Sequence, residues 1–245
     1  MTKQTLIVAF DTETTGIDKA TDHVVQLASV IYPEGNSAVA ATFESLANPG
    51  KPIPSDAAAV HGISDQQVAD KPSSMEVVHT WWRHVNELAA EYDANIVLVA
   101  HNAPFDVPMV QKYFGEGWPG VPVVCTLKTA RRVDPLAQNH KLTTLVAHHH
   151  KLDNELYKKA HDALADVWMA SMLLEHYLKS LKLSAMDLAN WLNELQLLKI
   201  VPFGKHKGLP FDKIPPGSLR WFTNQPGMDA DIVHTARTYL RTHGQ

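Results

Sequence analysis

The chain has 245 residues, 45% hydrophobic and 20% charged, and its 22 Lys and Arg against 26 Asp and Glu leave a net charge of −4. That composition describes a soluble globular protein of one large domain, or one domain with a small appendage, and excludes a disordered chain. No apolar run is long enough to span a bilayer, no basic-then-apolar leader opens the chain, and the lone Cys125 excludes an intramolecular disulfide or thiolate cluster, so a cytoplasmic protein without membrane contact is expected. Residues 5–10 form an apolar, β-branched run that predicts a strand, followed by a polar turn through Gly16 and two further strand-like runs at 24–32 and 39–46. Pro49, Pro52 and Pro54 break regular structure, and Ser55 is placed to cap a short helix ending near His61 and Gly62. Over 74–92, Val77, Val78, Trp81, Trp82, Val85, Leu88 and Ala89 recur at helical spacing and give one buried face.

Residues 96–100 read as a buried strand that delivers His101-Asn102-Ala103-Pro104-Phe105-Asp106 into the start of another helix. A strand at 121–125 follows, with Cys125 a small core filler, and then a helical stretch closing with 158–178. Strands alternating with helices predict an α/β fold with helices packed on a mixed sheet. The best boundary is 179–184, which divides the chain into a domain over 1–180 and a small module over 181–245. The module opens with an amphipathic helix at 183–198 and continues into a Gly- and Pro-rich stretch at 203–217, too little chain for a large core. Charge divides the same way. Residues 1–180 carry 14 Lys and Arg against 21 Asp and Glu, and residues 181–245 carry 8 against 5. An acidic first part suits a site that concentrates divalent cations, and a basic tail suits phosphate contacts, although random asymmetry explains both as well.

Three acidic segments carry the candidate chemistry. In Asp11-Thr12-Glu13-Thr14-Thr15, the two carboxylates at i and i+2 share one face of a strand end, which is costly for like charges unless a cation lies between them; a solvated turn explains the pair equally well. Asp106 sits in the first turn of a helix, where the macrodipole favours negative charge in any protein. In His161-Asp162-Ala163-Leu164-Ala165-Asp166, a helix would bring His161 and Asp166 towards one site while Asp162 points elsewhere, and a surface histidine is the simpler reading of this segment alone.

Taken together, the order and spacing of these segments resemble the DEDD exonucleases of the DnaQ-like family, in the branch whose third motif is His, four residues, then Asp. The resemblance covers 5–178. It implies a ribonuclease H-like mixed sheet with flanking helices, 3′ to 5′ hydrolysis of a nucleic acid, DNA ahead of RNA, to nucleoside 5′-monophosphates, and two Mg²⁺ ions for which Mn²⁺ would substitute. It further implies that Asp11, Glu13, Asp106 and Asp166 are the metal ligands, with Asp11 at or near a bridging position, and that His161 is the general base. His61-Gly62-Ile63 resembles the family's His-Gly-Ile segment, which implies that His61 lies near the substrate's 3′ end. Thr14, Thr15 and Asn102 are further candidates for the terminal nucleotide, with a plain turn role the alternative for the threonines. Lys158 and Lys159 are candidates for phosphate contact, or merely solvated.

In the tail, Phe203-Gly204-Lys205-His206-Lys207-Gly208 followed by Arg220-Trp221 has the wrong spacing for a phosphate-binding P-loop. It is similar to the C-terminal segment of the exonuclease X group of that family. A DNA grip, with Lys205, Lys207 and Arg220 on phosphates and an aromatic ring on a base, and a hairpin turn beside a core tryptophan account for it equally well. Consecutive His148, His149 and His150 point in different directions and read as a helix end rather than a metal site. Three other readings stay open: a polymerase-bound proofreading module, a ribonuclease T-like RNA-trimming enzyme, and a non-catalytic nucleic-acid-binding protein on the same fold. Protein partners are undetermined, and a homodimer is compatible with the sequence.

Overall fold

The computed structural model describes residues 3–36, 38–150 and 162–243. Strand β1 (Gln4–Thr14) lies at the centre of a five-stranded sheet of order β3-β2-β1-β4-β5, formed with β2 (Val24–Pro33), β3 (Ala41–Leu46), β4 (Ala94–Ala100) and β5 (Val123–Cys125). β2 runs antiparallel to β1 and β3, while β1, β4 and β5 are parallel. Because β1 is covered on both faces, its apolar residues form a continuous run. Leu6, Val8 and Phe10 face one layer, made by α3 (Ser74–Glu91) and α4 (Ala103–Gln111), and Ile7 and Ala9 face the other, made by α7 (Ala163–Leu181) and α8 (Ala185–Asn193). Phe10 packs on the fully buried Trp81 with ring centroids 5.2 Å apart. Each such fully buried side chain contributes roughly 1.5–3 kcal/mol relative to exposure.

Local chemistry fixes where the helices start. Ser73 and Glu76 form a reciprocal capping box at the head of α3, and Ser74 Oγ donates to the Val24 carbonyl at 2.6 Å, pinning that helix to β2. Asp162 caps α7 by accepting from Leu164 N at 3.1 Å and Ala165 N at 3.4 Å. Between β3 and α3 lie the short helices α1 (Ser55–His61) and α2 (Asp65–Val68). Ser55 is the first residue of α1 rather than its cap; Pro54 precedes it, and no side chain caps that helix. α5 (Thr126–Val133) and α6 (Leu142–His150) pack on α7 through Ala130, Leu145, Val146, Met169, Leu173 and Tyr177. The histidines ending α6 are partly packed, as a helix end would be. His149 stacks on His176 at 4.0 Å and its Nε2 lies 3.1 Å from Asp134 Oδ2.

The tail differs from expectation in two respects. The helix expected over 183–198 stops at Asn193, and its apolar face, Ala185, Leu188, Ala189 and Leu192, completes the core beneath the sheet. The first core therefore runs past the expected boundary at 179–184. The chain beyond it builds a second, smaller core from Leu198, Val201, Phe211, Ile214, Leu219, Phe222, Ile232 and Ala236, carried largely by α9 (Pro216–Asn224) and α10 (Ala230–His243). Arg132 on α5 fastens this module. Its guanidinium donates to both carboxylate oxygens of Asp231, Nε to Oδ2 at 2.7 Å and Nη2 to Oδ1 at 3.0 Å, and to the carbonyls of Trp191 and Glu194 at 2.6 Å each. Among the described residues, no helix is long and apolar enough to cross a membrane.

Candidate active site

β1 outruns its neighbour. Its pairing with β4 ends at Ala9 and Val99, and β4 itself ends at Ala100, so the last residues of β1 project beyond the strand on that side. Alternation puts Asp11 and Glu13 on the same face as Ile7 and Ala9, towards α7, and Asp166 stands in the first turn of α7. Thr12, between the two acids, faces the other way. There Asp106, in the first turn of α4, occupies the side left open by β4: Thr12 N and Oγ1 both donate to Asp106 Oδ1, at 3.2 and 2.8 Å. α4 can begin so abruptly because Asn102 adopts the left-handed conformation, φ 73°, which asparagine tolerates better than most residues.

The four acids act on one another. Burial, and after it the charges of Asp106, Glu13 and Asp166, hold the Asp11 carboxyl well above the usual carboxylate range. Burial and the charges of Asp166, Asp106 and Asp162 push Glu13 up to about 8. Asp106 is pushed up to about 7, again by burial first, with the Thr12 hydrogen bonds pulling the other way. The causes that raise these groups are burial and other acids, so ionising them together concentrates negative charge in a buried space, which only protons or a cation relieve. Among the described residues, no three Asp, Glu, His or Cys side chains stand as a ready-made coordination cage. The chemistry of the donor set nevertheless fits hard divalent cations, since all four groups are carboxylates and they converge from β1, α4 and α7.

Thr12 is the residue that sequence reasoning passed over, although a threonine between two same-face acids must point to the opposite face. Thr12→Val keeps the shape and removes the hydroxyl that steers Asp106. The expected result is a loss of about tenfold or more in kcat, since hydrogen bonds to charged groups are worth ~1.5–3 kcal/mol, with an unchanged fold by circular dichroism. Wild-type kcat in Thr12→Val would show that Asp106 needs no such support.

The other expected site residues are divided. Thr14 Oγ1 donates to the Gly16 carbonyl at 2.7 Å and Thr15 Oγ1 to Asp22 Oδ1 at 2.9 Å, so both hydroxyls are engaged in the turn after β1. Asp22 is the hub of that turn, held down to about 2 chiefly by its hydrogen bond from Lys51, and Gly16 is needed there because a Cβ would lie 2.4 Å from Asp22 Oδ2. His61 ends α1, Gly62 turning the chain with φ 72°; Nδ1 accepts from Ile63 N at 3.0 Å, and the ring lies beside the Thr14 carbonyl without its buried Nε2 reaching hydrogen-bond geometry. His61 thus stands next to the end of β1. Asn102 is exposed at the head of α4. Its neighbour His101 is partly buried and neutral, held down to about 4 by the burial of its ring; Nε2 donates to the His140 carbonyl at 3.1 Å, leaving Nδ1 for the Thr126 hydroxyl at 2.9 Å. Lys205 and Arg220 are exposed on the module. Lys207 is not available to a phosphate, because its ammonium donates to the carbonyls of Ala137 and Gln138. His161, Lys158 and Lys159, and with them the expected approach of His161 to Asp166, lie outside the described residues.

Several known proteins are similar to this chain. The chain is 28% identical over 234 residues to exodeoxyribonuclease 10 of Escherichia coli K12, covering 94% of this chain and 96% of that one. It is 34% identical over 180 residues to a DNA polymerase III subunit epsilon-like protein of Rhodobacter capsulatus, covering 71% of this chain and spanning only 24% of that relative's length. Among solved structures, exonuclease X in complex with 5′ overhanging duplex DNA superposes with a TM-score of 0.55 at 27% identity, over 77% of this chain and 99% of the other. The RNase_T exonuclease family model matches residues 8–174. That match runs from within β1 to within α7 and encloses all four converging acids, and the chain belongs to this DnaQ-like exonuclease family.

Proposed function

We propose that this chain is a cytoplasmic, divalent-cation-dependent exonuclease that removes nucleotides from the 3′ end of DNA and releases nucleoside 5′-monophosphates. The observation that carries the reading is the convergence of four carboxylates from three elements at the open end of β1, where burial and neighbouring acids raise Asp11, Glu13 and Asp106. Asp11, Glu13 and Asp166, with Asp106 opposite, would hold two Mg²⁺ or Mn²⁺ ions, which when bound polarise the scissile phosphate and stabilise the charge on the attacking and leaving oxygens. Thr12 keeps Asp106 turned towards the site. His161 would take the proton of the attacking water as its oxygen bonds to phosphorus; the bond to the 3′ oxygen breaks with its electron pair, and that oxygen takes a proton from solvent water to leave as a hydroxyl. His61, beside Thr14, and the exposed Asn102 would contact the terminal nucleotide.

The test is a panel of 5′-labelled oligonucleotides (single-stranded, blunt, recessed and RNA) incubated with Mg²⁺, Mn²⁺ or EDTA. DNA strands should shorten from the 3′ end with either cation and stay intact in EDTA. RNA degraded faster than DNA overturns the substrate assignment, and digestion that survives EDTA overturns the cation assignment. The likeness to the epsilon-like protein favours a second reading, a proofreading module within a polymerase assembly. Against it, the match to exodeoxyribonuclease 10 runs over nearly all of both chains, whereas the epsilon-like protein is matched over 24% of its length.

A further inference from the structure

The basic module carries a cavity of about 610 Å³ between the turn at Gly204–His206 and α9. Its floor is Phe203 and Phe222, with rings 6.1 Å apart edge to face. Its rim holds the exposed Lys205 and Trp221, the latter 52% exposed and packed edge-on against Phe222 at 5.6 Å. His206 Nε2 lies 2.9 Å from Ser218 Oγ, tying the two walls together, so the shape is held without a ligand. We infer that this cavity stacks an unpaired base of the nucleic-acid strand, with Trp221 as the platform and Lys205 on the adjoining phosphate; the inference rests on the exonuclease reading above.

Three observations select this occupant. A tryptophan left half in water over an apolar floor offers a π-face that any base can use, whereas fixed hydrogen-bond partners would be needed to read a particular one. The charge is complementary: residues 181–245 carry 8 Lys and Arg against 5 Asp and Glu, while residues 1–180 carry 14 against 21, so this is the part of the chain that a polyanion approaches without net repulsion. Finally, a series of contacts links the turn beside the cavity to the segment that carries Asp106. Lys207, next to the turn, holds the carbonyls of Ala137 and Gln138; the His140 carbonyl nearby accepts from His101, and His101 immediately precedes the head of α4, which carries Asp106. A strand whose 3′ end lies among the acids would meet the module farther along its length.

The experiment uses the full chain in EDTA and a fluorescent single strand of about 16 nucleotides, read by anisotropy, alongside mononucleotide release from a trinucleotide in Mg²⁺. Trp221→Ala should weaken binding of the long strand by about five- to thirtyfold and leave trinucleotide turnover unchanged, and Trp221→Phe should bind nearly as wild type. Gly217→Leu, at a position where an added Cβ meets nothing within 4 Å, should fill the cavity and reproduce the Trp221→Ala defect. Lys205→Ala should reduce the salt dependence of binding by about one phosphate contact. If Trp221→Ala and Gly217→Leu bind the long strand as wild type does while all three degrade the trinucleotide, the cavity serves another ligand, such as a peptide, and the inference fails alone. If wild type degrades nothing yet binds in a Trp221-dependent way, the inference stands and the exonuclease reading fails.

Discussion

Asp11→Asn should be inactive and, without metal, more stable than the wild type. Loss of a central carboxylate from the cluster should lower the rate by about a thousandfold or more. The stability gain follows from the sign of the pKa shifts. A carboxyl whose folded pKa is raised lets the unfolded chain ionise first as pH rises, so the folded state loses stability from the unfolded pKa up to the folded one; for Glu13 that window runs from 4.5 to about 8. Metal-free wild type therefore carries this penalty in full at pH 8. An asparagine in place of Asp11 has no charge to hold in that buried space beside Asp106, Glu13 and Asp166, for a gain on the order of 1–3 kcal/mol, or roughly 3–8 °C in Tm for a chain of this size. Adding Mg²⁺ should raise the Tm of wild type and do much less for Asp11→Asn. Calorimetry in EDTA at pH 8 checks this, and a variant less stable than wild type would mean that the acids are not in mutual repulsion.

The second large effect concerns the joint between domain and module. Arg132 and Asp231 are 3% and 1% exposed at their side chains, and Arg132 also holds the carbonyls at the end of α8 and lies 4.6 Å over the Trp191 ring. Arg132→Ala leaves the buried Asp231 carboxylate with only the more distant Lys128, 3.9 Å away, as a cation, and should cost ~3–5 kcal/mol, lowering Tm by on the order of 10 °C. Arg132→Lys should recover little, because one ammonium cannot reproduce the paired hydrogen bonds. The double replacement Arg132→Met with Asp231→Leu should recover most of the loss, since no carboxylate is then left buried and Lys128, 3.9 Å from Asp231 in the wild type, keeps its hydrogen bond to the Leu192 carbonyl. A double variant as unstable as Arg132→Ala would place the stabilisation in the carbonyl contacts instead.

What could be read in the sequence, and what could not, follows from the range of the interactions. The strand at residues 5–10 was legible because its β-branched apolar run is local, and Asp11 and Glu13 share a face simply because strands alternate. The order of strands and the pairing of Thr12 with Asp106, 94 residues apart, depend on where β4 stops relative to β1, which no local pattern encodes. Likewise, the apolar face of α8 was visible as a periodicity, but not that its partner is the sheet rather than the tail. Lys207 illustrates the limit for charges. A lysine in a basic turn looks like a phosphate ligand until the chain brings the carbonyls of Ala137 and Gln138 beneath it. The acids were legible as three motifs in order, whereas their electrostatic coupling is a property of the fold.

The central claim, that the open end of β1 receives a 3′ terminus, is tested most directly by digesting one DNA strand labelled at either end in the presence of Mg²⁺. The account predicts that a 3′ label appears in a mononucleotide from the first turnovers, while a 5′ label moves down a ladder of shortening strands. Early release of the 5′ label, or internal fragments carrying neither end, would contradict it.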